Sequence, residues 1–214
     1  MTILAVALTV FGAVFGVVAD RLAVRWPEHD EEHPAGRALG WRTIASAAIG
    51  GFAFWLLADR FATATPLVQV LFGLWFATLV VGFAVDLDQR LLPDELTIPV
   101  IPIALLLAVT GQNPLVGTEI VPAILIAIVI PAGIFLASIP FGEGAFGLGD
   151  VKLLIGVGLM AGFLRAFTGL LAGLFAAGLV LVVLIVARRI DRHTFVPFGP
   201  FLIFGALWGI FVRV

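Results

Sequence analysis

The sequence predicts an all-α fold, a polytopic membrane helix bundle of about eight transmembrane helices, and three observations lead there. First, 62% of the residues are hydrophobic and only 12% charged, whereas charged residues make up about a quarter of an ordinary soluble domain; the mean hydropathy is +1.19. Second, charge-free runs near 20 residues fill almost the whole chain, the length a helix rising about 1.5 Å per residue needs to cross about 30 Å of hydrocarbon. Third, 24 Gly and 12 Pro are scattered through apolar sequence rather than gathered in linkers, and membrane helices tolerate both better than soluble helices do. Barrel strands would be roughly 9 to 11 residues long and would alternate in polarity. No such alternation is present.

Taken in order, the apolar runs are 1–19, 43–58, 61–85, 96–118, 120–142, 153–164, 166–187 and 194–212. The first reads as a retained span, because it lacks a basic start and is followed by Asp20, Arg21, Arg25 and Trp26 without a small-residue cleavage pattern. The second is short. The sixth is short too, and becomes a full span only if it begins near Gly149 and carries Asp150 and Lys152 with it. Loops are brief and no internal repeat of fixed period occurs, so residues 1–214 form a single membrane domain.

Eight spans put both termini on one side, and the excess of Arg and Lys in cytoplasmic loops decides which. Loops after the odd-numbered spans hold Arg21, Arg25, Arg37, Arg42, Arg90, Lys152, Arg188, Arg189 and Arg192, leaving Arg60, Arg165 and Arg213 on the other face. The expectation is N-out, C-out.

Segment 20–42 is the largest hydrophilic stretch and reads as a short solvated cytoplasmic loop bracketed by Pro27 and Pro34. A sharper alternative takes His29 and His33, with carboxylates between them, as metal ligands. The absence of Cys excludes disulfides, thiol catalysis and Cys-bound zinc or iron–sulfur clusters. A net charge of −2 gives no reason to expect nucleic acid as a partner.

Ionisable groups inside apolar runs are costly and need a reason. One cluster is Asp86-Leu87-Asp88-Gln89-Arg90-Leu91-Leu92-Pro93-Asp94-Glu95, at the end of the third run. The other is Gly142-Glu143-Gly144-Ala145-Phe146-Gly147-Leu148-Gly149-Asp150-Val151-Lys152, leading into the sixth. On the topology above both sit at one membrane face. Asp150 is expected in the first turn of a helix, where the dipole favours a carboxylate. Two carboxylates brought within a few ångströms cannot readily both ionise, so Asp86 and Asp150 would share one proton, as in aspartic protease chemistry. One could then take a proton from water while the other donates to a carbonyl oxygen. Plainer readings remain for the neighbours: Asp88, Asp94, Glu95 and Glu143 as caps or solvated charges, Asp94 capping the fourth span, Arg90 and Lys152 as anchors or as neutralising partners. On these grounds alone a small carboxylate-based ion or proton transporter fits as well as proteolysis.

The two clusters together resemble the prepilin peptidase family of GxGD-type membrane aspartic proteases. In that family the first catalytic Asp leads, eight residues on, to a Leu-Pro-Asp or similar triplet, here Asp86 with Leu92-Pro93-Asp94; the second closes a GxGD motif followed by Lys, here Gly147-Leu148-Gly149-Asp150 with Lys152. The start, Phe11-Gly12-Ala13-Val14-Phe15-Gly16 through Arg21 to Trp26-Pro27, looks like a diverged first span, and Pro197-Phe198-Gly199-Pro200-Phe201 is similar to the segment before the last span of longer members. Bifunctional members carry a zinc-binding insert with two Cys pairs after the first span; here that insert shrinks to segment 20–42 without any Cys, which argues against N-methyltransferase activity. So does Val17-Val18-Ala19-Asp20, where the family usually has Ser or Asn.

The resemblance implies cleavage of the leader peptide from type IV prepilins or pseudopilins at the cytoplasmic face of the inner membrane. Asp86 and Asp150 would be catalytic, with Gly147, Gly149, Lys152, Arg90, Pro93 and Asp94 supporting them, in contact with the lipid bilayer and with no metal or organic cofactor.

Overall fold

The computed structural model describes residues 2–29, 37–141, 147–189 and 196–212. Its described residues form helices and no strand: α1 Ile3–Ala23, α2 Trp41–Arg60, α3 Pro66–Gln89, α4 Asp94–Thr97, α5 Val100–Val109, α6 Ile120–Ser138, α7 Leu148–Ala161, α8 Phe163–Val186 and α9 Gly199–Phe211. Helices α1, α2, α3, α6 and α8 are each long and apolar enough to cross a membrane. The shorter α5, α7 and α9 occupy the remaining expected positions, so the chain is an all-helical, multi-pass membrane protein.

Local chemistry sets the helix starts. The Thr2 hydroxyl accepts from the Ala5 amide at 3.2 Å to open α1. Thr65 does the same for Val68 at 3.4 Å, and Pro66, whose missing N–H costs nothing in the first turn, follows it into α3. The third apolar run therefore enters its helix at residue 66 rather than 61, and continues past Val85 to Gln89, which makes Asp86 and Asp88 helical residues. Likewise α1 runs on through Asp20 and Arg21.

Two expectations are corrected. Run 96–118 is not one span: it is divided into α4 and α5 by a turn at Ile98 and Pro99, and from Thr110 to Thr118 the chain turns through Gly111 and Gly117, both at positive φ. Pro99 cannot donate a helical hydrogen bond, and Gly adopts the left-handed backbone without strain. Buried Asn113 holds this turn: its amide donates to the carbonyls of Leu159 (3.2 Å) and Met160 (3.0 Å), and its oxygen accepts from Leu115 at 2.9 Å. The second correction is the boundary at residue 165. Gly162 alone, at φ +78°, separates α7 from α8, so Arg165 lies in the first turn of α8, donating to the Leu115 carbonyl at 2.9 Å.

In lipid, helices associate through close backbone approach at small residues rather than through the hydrophobic effect. Here α1 meets α2 at Gly12 against Gly50 and Gly16 against Ser46, and α8 meets α9 at Gly169 and Gly173 against Gly205. Helix α3 is flanked by α1, α2 and α9, with Phe72 and Phe76 fully buried against Phe61. Helix α7 packs on α5, α6, α8 and α9. Both α4 and α9 thus touch α3 and α7 alike, and they bridge the two helices that carry Asp86 and Asp150.

Candidate active site

Asp86 is the fourth residue from the end of α3 and only 4% exposed. Asp150 is the third residue of α7 and half-buried. These residues, 64 apart in sequence, come together at one end of the bundle, where Asp150 is near enough to act electrostatically on Asp86.

Leu92 packs between the helices that carry them. Its buried side chain wedges between α3 and α9, and its backbone lies against α7. A Cβ added at Gly82 would stand 3.1 Å from Leu92 Cδ2, one at Gly199 3.2 Å from Cδ1, and one at Gly149 2.8 Å from the Leu92 carbonyl oxygen. Three helices therefore close on one leucine because each presents a glycine to it.

Each carboxylate faces a backbone amide near the start of a helix, where N–H groups lack partners along the chain. The Gly199 amide at the head of α9 faces Asp86, and the Gly147 amide before α7 faces Asp150. Gly199 has no room for a side chain, since a Cβ would lie 2.9 Å from the Asp86 Cγ. Asp86 Oδ2 is nevertheless buried without a hydrogen-bond partner among the described residues. A buried polar atom left unsatisfied is uncommon and marks a place where chemistry or a solvent molecule is expected.

The supporting residues fall around this pair. Lys152 donates to Asp94 at 2.5 Å, so of its two readings it is a neutralising partner, for Asp94. Asp94 is the first residue of α4 and makes no capping bond; Pro93 holds the cap position instead. Arg90 ends α3 in the left-handed conformation, φ +58°, and acts electrostatically on Asp86. Gly147 immediately precedes α7. A narrow crevice is lined by Trp75, Leu79, Leu92, Val100, Lys152 and Gly156 and by neither carboxylate. Glu143 and the glycines 142 and 144 lie outside the described residues, as does His33. His29 is among the described residues, and its Nε2 lies 3.3 Å from Asp88 and 3.3 Å from Gln89. No group of three or more metal-ligating side chains gathers among the described residues.

Sequence reasoning missed Leu92 and Gly199 as contacts of the pair. Gly199 stood inside the Pro-Phe-Gly-Pro segment, which signalled a special backbone but not its neighbour. It also read Asp88 as a cap or a solvated charge, whereas Asp88 is half-buried among cations.

Comparison with known proteins agrees with the motif reading. A family model, that of the type IV leader peptidase family, matches residues 71–187, more than half of the chain and inclusive of both Asp motifs. The prepilin leader peptidase/N-methyltransferase of Aeromonas salmonicida is 29% identical over 134 residues, 58% of this chain and 44% of that protein. The protein of the same description from Pseudomonas aeruginosa is 26% identical over 171 residues, 78% and 57% of the two chains. A type 4 prepilin-like proteins leader peptide-processing enzyme of Escherichia coli O78:H11 is 29% identical over 138 residues, 64% and 49%. The chain spans about half the length of the curated relatives it matches. No solved structure matches it significantly. With a family match over more than half of its length that spans both Asp motifs, the chain belongs to the type IV leader peptidase family.

Proposed function

We propose that this chain is a membrane-embedded aspartic endopeptidase that removes the leader peptide from type IV prepilins or pseudopilins at the cytoplasmic face of the inner membrane, with residues 1–214 acting as one peptidase domain in an N-out, C-out arrangement. The observation that carries the reading is the meeting of Asp86 and Asp150, from helices distant in sequence, at one end of an apolar bundle.

In the proposed reaction the pair holds a single proton. The ionised carboxylate takes a proton from water as the water oxygen attacks the scissile carbonyl carbon, and the protonated one gives its proton to the carbonyl oxygen. The resulting gem-diol collapses as one hydroxyl returns its proton to the pair and the leaving nitrogen receives one. The C–N bond breaks, leaving a carboxyl and an amine. No redox partner is needed. Extended substrate backbone at membrane depth must be shielded from lipid, and exposed Gly147 leaves backbone accessible beside Asp150. The two relatives described as N-methyltransferases match over only part of their length. The lack of Cys in this chain supports cleavage without methylation. A transporter would favour carboxylates near the bilayer midplane, whereas both acids lie near helix ends.

The test is co-expression with a prepilin carrying a basic leader, a Gly and an apolar helix, read by the size and N-terminal sequence of the product. Asp86→Asn and Asp150→Asn should each abolish cleavage while the protein remains inserted and folded. Normal processing by both variants would end the reading.

A further inference from the structure

Two residues beyond Asp86, Asp88 is half-buried, its side chain 8% exposed, beneath Arg37, Arg42 and His29 from the α1–α2 connection and the start of α2. Arg37 Nε reaches Asp88 Oδ1 at 2.6 Å, Arg42 Nη1 reaches the same oxygen at 2.9 Å, and His29 Nε2 lies 3.3 Å from Oδ2. The other arm of Arg37 donates to Asp20, which is wholly buried near the end of α1 and also accepts from Arg21 and, at 2.7 Å, from the Thr43 hydroxyl. Gln89 continues the seam: its amide donates to the carbonyls of Ala23 (3.3 Å) and Pro27 (3.1 Å).

Carboxylates this deep are expensive unless paired, and breaking a pair leaves a charge uncompensated. Arg37 spans two of them with its planar fork, which a lysine cannot reproduce. The place matters as much as the strength. The last turn of a helix has carbonyls without partners and frays readily, and Asp86 sits in that turn of α3. Successive helical residues are about 100° apart, so Asp88 projects about 200° around from Asp86. One points to α9 and Asp150; the other points away, into the Arg37 seam.

We propose that Asp88 and Arg37 are positioning residues: by clamping the final turn of α3 from behind, they fix the Asp86 carboxylate in its place beside Gly199 and facing Asp150. The catalytic consequence rests on the peptidase reading, and the clamp itself does not. Because displacements of an ångström at reacting groups cost about a hundredfold in rate, loosening the turn should lower kcat and leave KM nearly unchanged.

The experiment compares purified wild type, Asp88→Asn, Arg37→Gln, Arg37→Lys and the Asp88→Asn/Arg37→Gln double variant for leader-peptide cleavage per folded molecule. The chain contains no Cys, so Leu91→Cys, at an exposed residue just past α3, carries a spin label reporting the mobility of the turn in each background. Expected are a ten- to hundredfold fall in kcat for Asp88→Asn and Arg37→Gln with KM within about twofold, a double variant no worse than either single, partial recovery with Arg37→Lys, and faster label motion wherever kcat falls. Unchanged label motion, additive effects of the two substitutions, or a rise in KM at constant kcat would each overturn the proposal. If the wild type cleaves no leader peptide yet the label is freed by Asp88→Asn, the peptidase reading falls and the clamp stands.

Discussion

Gly149 marks how little space separates the two carboxylate-bearing segments. A Cβ there would stand 2.8 Å from the Leu92 carbonyl oxygen, a backbone atom that cannot rotate aside. Gly149→Val therefore has to push α7 away from residues 91–93, and its β-branch further restricts the turn that presents Asp150. Cleavage by that variant should fall at least tenfold with membrane insertion intact, measured as product formed per inserted molecule; undiminished turnover would show that this close approach does not matter. Asp86 and Asp150 were legible in the sequence because a carboxylate in an apolar run is anomalous wherever it sits, and the triplet at Leu92-Pro93-Asp94 and the GxGD motif mark them as a pair. Leu92 was legible as part of a motif but not as the wedge between them, since nothing in local sequence says which glycines will face a leucine from three other directions. Asp20 and Asp88 were misjudged for the same reason: one-dimensional charge density counts nearby ions as solvated, and only the folded chain shows Arg37 inserted between them.

Among the elements, most spans could be read from apolar length, and their failures trace to particular residues. Pro99 divides what hydropathy alone joins into one span, and the turn after Thr110 is fixed by a side chain, Asn113, whose partners at Leu159 and Met160 are more than 40 residues away. Hydropathy is blind to such a bond. Gly162 bends the chain between α7 and α8 three residues before the first charge that would have signalled a loop. The Asn113 contacts tie the turn to the end of α7, far from the end of that helix that carries Asp150. Asn113→Ala strips partners from two carbonyls and two amides, a loss of about 1–3 kcal/mol where such groups stay buried. The variant should melt at lower temperature in detergent, while cleavage per folded molecule stays at the wild-type rate. A matching loss of catalytic rate would mean that the two ends of α7 are coupled.

The molecule as a whole combines two sizes of helix. Helices α1, α2, α3, α6 and α8 are long and apolar enough to cross a bilayer. Helix α7, with 14 residues, and α9, with 13, are about 21 and 20 Å long. They pack on one another, and their N-terminal ends bear Asp150 and the Gly199 amide facing Asp86. The polytopic bundle and the short sixth run were legible in the sequence, but the 13-residue length of α9 was not, because it starts at Gly199 through a close contact rather than at a charge. Where short helices adjoin long ones, thinning of the surrounding lipid is one way to match them. If the leaflet dips above the carboxylate pair, headgroups and water reach a depth that full-length helices would keep dry. Hydrolysis should accordingly be tuned by acyl-chain length: fastest in reconstituted vesicles of thin, short-chain phospholipid and several-fold slower in thick ones at equal protein and substrate density. A rate indifferent to thickness would mean that the dip is filled by protein rather than by lipid.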